Sequence, residues 1–181
     1  MSRRDPAWLA KAIPQRRFGI KGPRAADMLR ELKLAVPERP NCWSPLRVSD
    51  REGSWNVVAR LGNTEFFVEE GGDGPGVEAL EARSASGTAG VYPVLREDFA
   101  FVLGGASAPD VLAQVCNVNF APLPARAVVM TLMIGVGVLV LPQMSDDDGY
   151  VYRIWCDPSY GAYLWTELEE VVDQIPTGRA E

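Results

Sequence analysis

Apolar and polar positions in the first half of the chain recur in the second half. The segment from Phe18 to Leu29 returns 83 residues later as Phe101 to Leu112. Ile20 and Leu32 then correspond to Leu103 and Val115, so apolar positions are kept as well. The period is too long for a solenoid, so the pattern predicts two copies of one domain-sized unit. Identical residues stand at five pairs of positions: Phe18/Phe101, Gly22/Gly105, Ala25/Ala108, Asp27/Asp110 and Leu29/Leu112.

The first copy begins with the pattern of a short strand and an amphipathic helix. Residues 18–21 are predicted to form the strand, and Gly22-Pro23 then opens the helix, because proline fits the first helical position. Apolar residues at i, i+3, i+4 and i+7 carry this helix to about Leu34. Further predicted elements are a hairpin of residues 56–61 and 65–69, a helix at 77–83 and a closing strand at 92–96.

The second copy repeats this order of elements. A strand is predicted at residues 99–103, followed by a helix that Ser107 and Asp110 introduce with capping-box spacing. Residues 136–141 and 150–156 form a predicted hairpin around Asp146–Gly149, and residues 158–172 form a final amphipathic helix. The chain is therefore expected to be an α+β protein of two tandem ferredoxin-like β-α-β-β-α units. The expected boundaries are an N-terminal arm at 1–17 and units at 18–97 and 98–181.

Charge and composition narrow the range of partners and compartments. The net charge of −6 and the pI near 4.8 argue against nucleic acid or an anionic membrane, since both bind basic surfaces. The apolar run at 127–141 is too short to cross a bilayer, and its β-branched residues indicate buried strand. Three well-separated cysteines form no disulfide framework, and no secretory signal is visible. We expect a soluble, cytoplasmic protein.

Few residues suggest chemistry of the chain's own. The chain contains no histidine, which removes the commonest general base and metal ligand. The glycine-rich stretch at 71–76 lacks phosphate-loop spacing and is interpreted as a flexible loop. Gly22 and Gly105 precede helices whose N-termini could receive an anion, although the duplication favours tight strand-to-helix turns. No catalytic residue, metal ligand or cofactor is predicted in this chain.

Aromatic residues are the remaining candidates for function. They concentrate in connections and in the C-terminal helix, and an aromatic surplus of this kind is common at protein–protein contacts. Core packing remains an equal alternative for them. If Trp165 lies at an interface, its replacement by alanine is expected to leave folding intact and to weaken assembly. The candidate partner-interface residues are Trp8, Trp155, Tyr160, Tyr163 and Trp165.

With these residues in view, the chain resembles the gamma subunit family of heterotetrameric sarcosine oxidase along nearly its whole length. The resemblance implies a fold related to the folate-binding domain of aminomethyltransferase. It also implies alpha, beta and delta partner subunits, with FAD, FMN, NAD and tetrahydrofolate in the large subunits and zinc in the smallest. The matching segments are Phe18–Pro23 with Ala25 and Leu29, Pro40-Asn41, Ala59–Gly62 with Glu65-Phe66, Gly105–Leu112, Asp157–Tyr160 and Tyr163–Trp165.

The resemblance implies a mainly structural subunit of a complex that oxidatively demethylates sarcosine or a related N-methyl amino acid. Complexes such as N-methylglutamate dehydrogenase have a similar small subunit, and no residue here separates these substrates. An alternative from another class is a free-standing folate-binding or one-carbon transfer protein with the same fold. A homo-oligomer with only a structural role is a third possibility. No folate-site residue can be carried over, because no matching motif is present.

Overall fold

The computed structural model describes residues 6–47, 56–71, 74–124, 126–145 and 149–175. The chain divides into two compact units. We call Pro14–Glu97 the first unit, and Met1–Ile13 together with Asp98–Glu181 the second unit. Each unit is described by itself.

Both units combine antiparallel strands with helices. The helices are α1 (Ala25–Glu31), α2 (Pro75–Ala85), α3 (Ala108–Val115) and α4 (Gly161–Gln174), the last preceded by a 3-10 turn at Pro158–Tyr160. The strands are β1 (Trp8–Lys11), β2 (Arg16–Lys21), β3 (Cys42–Pro45), β4 (Val57–Arg60), β5 (Glu65–Glu70), β6 (Tyr92–Val94), β7 (Phe99–Gly104), β8 (Val129–Met133), β9 (Val136–Ser145) and β10 (Gly149–Cys156).

The two sheets have the same spatial order of strands. Strands follow the order β3-β4-β5-β2-β6 in the first unit and β8-β9-β10-β7-β1 in the second. Every pairing between these strands is antiparallel. The prediction of a mixed helix-and-sheet architecture is confirmed by these two antiparallel sheets. The sequence pattern did not predict edge strand β3, and it predicted β8 only as part of one apolar run with β9.

The predicted N-terminal arm at 1–17 is not a separate segment. Trp8–Lys11 pairs with β7 and completes the sheet of the second unit, in the position that β6 occupies in the first. Leu9 is buried in the core of the second unit, whereas Arg16 and Arg17 already belong to β2. The sequence pattern missed β1 because its partner strand lies about ninety residues away along the chain.

One face of each sheet packs against the helices of its unit. The equivalent pairs Ile20/Leu103, Ala25/Ala108, Met28/Val111 and Leu29/Leu112 are all buried in these two cores. The apolar residues that recur in the sequence therefore occupy equivalent buried positions in the two cores. Leu164 and Leu168 of α4 complete the second core, and Val77 and Leu80 of α2 complete the first.

The repeated glycine forms the same turn in both units. Gly22 and Gly105 have φ angles of 123° and 99°, which disfavour every residue with a Cβ. A Cβ on Gly22 would lie 2.4 Å from the Gly90 carbonyl oxygen, and one on Gly105 would lie 2.7 Å from the Pro6 carbonyl oxygen. Those carbonyls accept hydrogen bonds from the backbone N–H groups of Arg24 at 3.1 Å and Ser107 at 2.6 Å. The prediction of tight strand-to-helix turns is confirmed.

Two local predictions need correction. Ser107 is the N-cap residue of α3, but its hydroxyl makes no capping bond, and its backbone N–H donates to the Pro6 carbonyl, not to Asp110. The apolar run at 127–141 is not one strand, since it turns at Ile134 and Gly135, whose φ angles are 49° and 81°. Positive φ at both central residues suits the twist of a two-residue hairpin turn, which joins β8 to β9. The predicted hairpin tip at Asp146–Asp148 lies outside the described residues.

We predict that Gly105→Ala lowers the free energy of unfolding by more than Gly135→Ala does. Both positions have positive φ, which costs a residue with a Cβ about 1–2 kcal/mol. Only Gly105 would also press its Cβ against backbone, because nothing lies within 4 Å of a Cβ at Gly135. Urea unfolding of both variants measures the difference. Equal losses would mean that the approach of Pro6 to this turn does not constrain the fold.

Candidate partner-binding surface

The candidate surface is built around the start of α4. The backbone N–H of Ser159 donates a hydrogen bond to Oδ1 of Asp157 at 2.8 Å, and the Ser159 hydroxyl donates to the same oxygen. These bonds, that of the hydroxyl first, hold the pKa of the Asp157 carboxyl below its ordinary value. Gly161 then lets the first turn of α4 approach β7, since a Cβ there would lie 2.6 Å from the ring of Phe99. The local sequence thus fixes where α4 begins.

The inner side of α4 belongs to the core of the second unit. Leu164 and Leu168 are fully buried, and Trp165 packs against the same cluster. The Trp165 ring meets Phe101 edge-on, with centroids 6.4 Å apart, and the Nζ atom of Lys11 lies 5.6 Å from the Trp165 centroid. Trp165 therefore holds α4 on the sheet by apolar, aromatic and cation–π contacts.

The outer side of α4 is both aromatic and acidic. Tyr160 and Tyr163 expose 53% and 46% of their surface. The negatively charged residues of α4 lie on or beside this side, and the helix contains no Lys or Arg. We call this surface the α4 face and define it by Tyr160, Tyr163, Glu167, Glu169, Glu170 and Asp173.

The structure separates the five predicted interface residues into three groups. Tyr160 and Tyr163 are exposed and lie together at the start of the α4 face. Trp8 and Trp165 are half-buried: Trp165 packs on the core, and Trp8 covers Gly104, whose Cβ would lie 2.3 Å from the indole. Trp155 is 1% exposed and stacks with the guanidinium of Arg153, so it cannot meet a partner, and its prediction as an interface residue was wrong.

Sequence reasoning missed the acidic residues of the α4 face. Four acids without a base in residues 161–174 were visible in the sequence. The signal passed unnoticed because a charged stripe is the usual solvent side of an amphipathic helix. Whether such a stripe faces solvent or a partner depends on the residues that surround it in space, and the sequence pattern does not show which residues these are.

The N-terminus of α2 is occupied by a carboxylate of the chain itself. Oε2 of Glu70 accepts a hydrogen bond from the Val77 backbone N–H at 2.9 Å, and Oε1 lies 3.0 Å from Nη1 of Arg47. A Cβ on Gly74 would lie 2.2 Å from Glu70, so this glycine makes room for the buried carboxylate. The part of the glycine-rich stretch that the structure describes is therefore ordered around Glu70, which already fills the anion position of this helix.

Neither metal chemistry nor a membrane span is visible in the described ranges. No three His, Cys, Asp or Glu side chains within them are arranged to hold a metal ion. No described helix is both long and apolar enough to cross a bilayer. Cys156 is buried, and its desolvation, followed by the charges of Asp157 and Asp98, raises the pKa of the thiol from 9.0 to about 11.

Comparisons with solved structures identify the fold. The chain is similar to heterotetrameric sarcosine oxidase from Corynebacterium sp. U-96 in complex with pyrrole 2-carboxylate, with a TM-score of 0.76 and 15% identity. That match covers 98% of this chain and 89% of the other. It is also similar to the glycine cleavage system aminomethyltransferase T from Bartonella henselae, with a TM-score of 0.67 and 16% identity.

The second match covers 91% of this chain but 46% of the other, so the chain spans less than half the length of the aminomethyltransferase. No family model and no curated protein matches the chain significantly. The predicted resemblance to both proteins is confirmed at the level of the fold.

We expect Trp165→Ala to destabilise the protein, contrary to the sequence-based expectation. Removing a core tryptophan costs about 3–5 kcal/mol, and the half-buried position of Trp165 places it near the lower end of this range. Tyr163→Ala, on the exposed side of the same helix, should change the free energy of unfolding by no more than about 0.5 kcal/mol. Thermal and urea unfolding test both values. A stable Trp165→Ala variant would show that its ring contacts contribute little.

We expect the thiol of Cys156 to resist alkylation in the folded protein at pH 8, because its raised pKa keeps it protonated and the core covers it. Unfolding restores the ordinary pKa of 9.0, so the contribution of the neutral thiol to stability is lost as the pH rises from 9.0 to about 11. Mass spectrometry after iodoacetamide treatment locates the labelled residues, with urea-unfolded protein as the positive control. Rapid native labelling at Cys156 would contradict its burial.

Proposed function

We propose that this chain is a gamma-type assembly subunit of a heterotetrameric complex that oxidatively demethylates sarcosine or a related N-methyl amino acid. The observation that carries the proposal is the near full-length agreement in both directions with a chain of heterotetrameric sarcosine oxidase. A fold shared from end to end supports a role as a comparable subunit. In the aminomethyltransferase, the same fold occupies less than half of a longer protein.

The proposed division of labour places the redox chemistry outside this chain. We assign FAD, FMN, NAD and tetrahydrofolate to partner subunits, with alpha, beta and delta subunits as the partners. Two structural features support an assembly role for this chain. Glu70 fills the N-terminus of α2, and backbone carbonyls of the chain bind the turns that open α1 and α3. These helix ends are thus bound by the chain's own groups.

Each unit is further proposed to be ferredoxin-like, with one added edge strand. The strand orders β6-β2-β5-β4 and β1-β7-β10-β9 support this assignment, and β3 and β8 are the additions. We place the complex in the cytoplasm, which the three free cysteines support.

A free-standing folate-binding or one-carbon transfer protein is the second candidate. The likeness to the aminomethyltransferase over 91% of this chain favours it. The two candidates differ in whether the chain acts alone or needs partner subunits. That difference is open to direct measurement.

We predict that the full chain, tagged and expressed in its native host, co-purifies with two larger subunits and one small subunit. The complex should show a flavin absorption spectrum and consume oxygen with sarcosine or another N-methyl amino acid, because the partner subunits supply the cofactors. An unrelated cytoplasmic protein with the same tag is the control. Size-exclusion chromatography, absorption spectroscopy and an oxygen electrode provide the measurements.

A colourless single species that binds tetrahydrofolate would contradict the proposal and favour the one-carbon transfer protein. A colourless oligomer of this chain alone, without folate binding, would contradict both candidates and leave a structural homo-oligomer. Isothermal titration with tetrahydrofolate separates these two outcomes.

A further inference from the structure

The net negative charge of the protein comes from one of its two units. The first unit contains 12 basic and 12 acidic residues, whereas the second contains 6 basic and 12 acidic residues. The whole net charge of −6 therefore belongs to the second unit. Within that unit, α4 contributes four acids and no base.

In α2, the corresponding helix of the first unit, two acids pair with an arginine. Nη2 of Arg16 lies 2.6 Å from Glu81 of α2, and Nη1 of Arg16 lies 3.5 Å from Glu78. At the repeat offset of 83 residues, Phe99 stands where Arg16 stands in the first unit. The second unit thus lacks the arginine at this position. Within the ranges that the structure describes, no Lys or Arg pairs with Glu167, Glu169, Glu170 or Asp173.

The acids of α4 are unfavourable for the helix itself. Glu169 and Asp173 are like charges at i and i+4, a spacing that destabilises an isolated helix. Glu170 and Asp173 lie towards the C-terminus, where the helix dipole favours positive charge. Helix stability therefore does not account for these residues, although a binding partner of opposite charge would.

Exposed aromatic side chains on the same surface also point to a protein partner. Tyr160 and Tyr163 lie three residues apart at the start of the α4 face, and both are about half exposed. Tyrosine is enriched in the centres of protein interfaces, where charged residues form the rim. The α4 face has this composition, with tyrosines at one end and carboxylates along the rest.

We propose that the α4 face docks onto a basic surface of one of the larger subunits of the complex. This inference rests on the proposed function, because it requires a partner subunit. Charge complementarity favours a basic protein surface as the partner. Two α4 faces from two copies of this chain would bring like charges together, and the acidic face would repel nucleic acid. The tyrosines supply the apolar contact, and the carboxylates speed association and fix its orientation.

The test compares two charge-neutralising variants that change the net charge equally. Glu170→Gln with Asp173→Asn alters the α4 face, and Glu38→Gln with Glu97→Gln alters exposed acids of the first unit. The probe is the set of larger subunits separated from the native complex, immobilised on a sensor surface and titrated with each full-length chain. Surface plasmon resonance at 0.1 M and 1 M salt gives the dissociation constants.

At 0.1 M salt we expect the α4 variant to bind about tenfold more weakly than the unmodified chain, since each exposed ion pair accounts for a several-fold change. The difference should largely disappear at 1 M salt, where charges are screened beyond about 3 Å. The control variant should bind like the unmodified chain. Urea unfolding should show the α4 variant to be at least as stable, because its substitutions remove like charges. A merely structural role for these acids would give the opposite result.

Equal binding of all three chains at both salt concentrations would overturn the docking proposal while leaving the proposed function intact. Failure to recover any larger subunits would instead overturn the proposed function and this inference with it. A dimer of the unmodified chain that the α4 variant converts to a monomer, seen by analytical ultracentrifugation, would assign the α4 face to a second copy and contradict the proposal.

Discussion

Both units depend on a backbone carbonyl that enters a glycine turn. The carbonyls of Gly90 and Pro6 approach Gly22 and Gly105, where a side chain would collide with them. Each carbonyl accepts a hydrogen bond from a backbone N–H at the start of a helix. Each also lies just before an edge strand of its sheet, β6 in the first unit and β1 in the second. One contact thus positions the end of β2 or β7, the start of the helix and the beginning of the edge strand together. That is the physical reason why the glycine recurs.

This contact has a different cost in the two units. In the first unit the fifth strand, β6, follows α2, so the contact with Gly90 closes a loop of moderate length. In the second unit the fifth strand is β1, which comes from the beginning of the chain and pairs with residues about ninety positions later. Pairings between distant segments form slowly, because the entropy of loop closure is lost before the contact compensates for it. The second unit is therefore complete only when the N-terminal segment has returned to it.

Sequence patterns predicted the elements whose signals are local. The stripe of Ala25, Met28 and Leu29 and its equivalent in the second copy identified α1 and α3, and the two hairpins followed from alternation and turn residues. Edge strand β1 escaped because it forms only by long-range pairing with β7. β3 lies in a stretch that its prolines marked as a connection, and β8 was merged with β9 because the turn at Ile134-Gly135 interrupts the apolar run with a single glycine. Trp155 and Trp165 were assigned to an interface for a related reason. The sequence shows that a residue is aromatic, but it does not show whether the core or a partner covers the side chain. Only the contacts with Arg153 and Phe101 separate these cases.

The shared strand order of the two sheets also makes the differences between the two units informative. Two units with one spatial order of strands and equivalent cores share whatever the fold itself requires, so function is to be sought in the residues that differ between them. The largest difference is electrostatic. In the first unit, Arg16 binds two acids of α2, whereas the second unit has Phe99 at that position and uses it to seat Gly161 at the start of α4. Where the first unit has an arginine that pairs with helix acids, the second has an apolar contact, and no Lys or Arg of the described residues pairs with the acids of α4. Packing against Gly161 explains the phenylalanine, but it does not explain the unpaired acids of α4, and this difference between the units is the basis of the docking proposal.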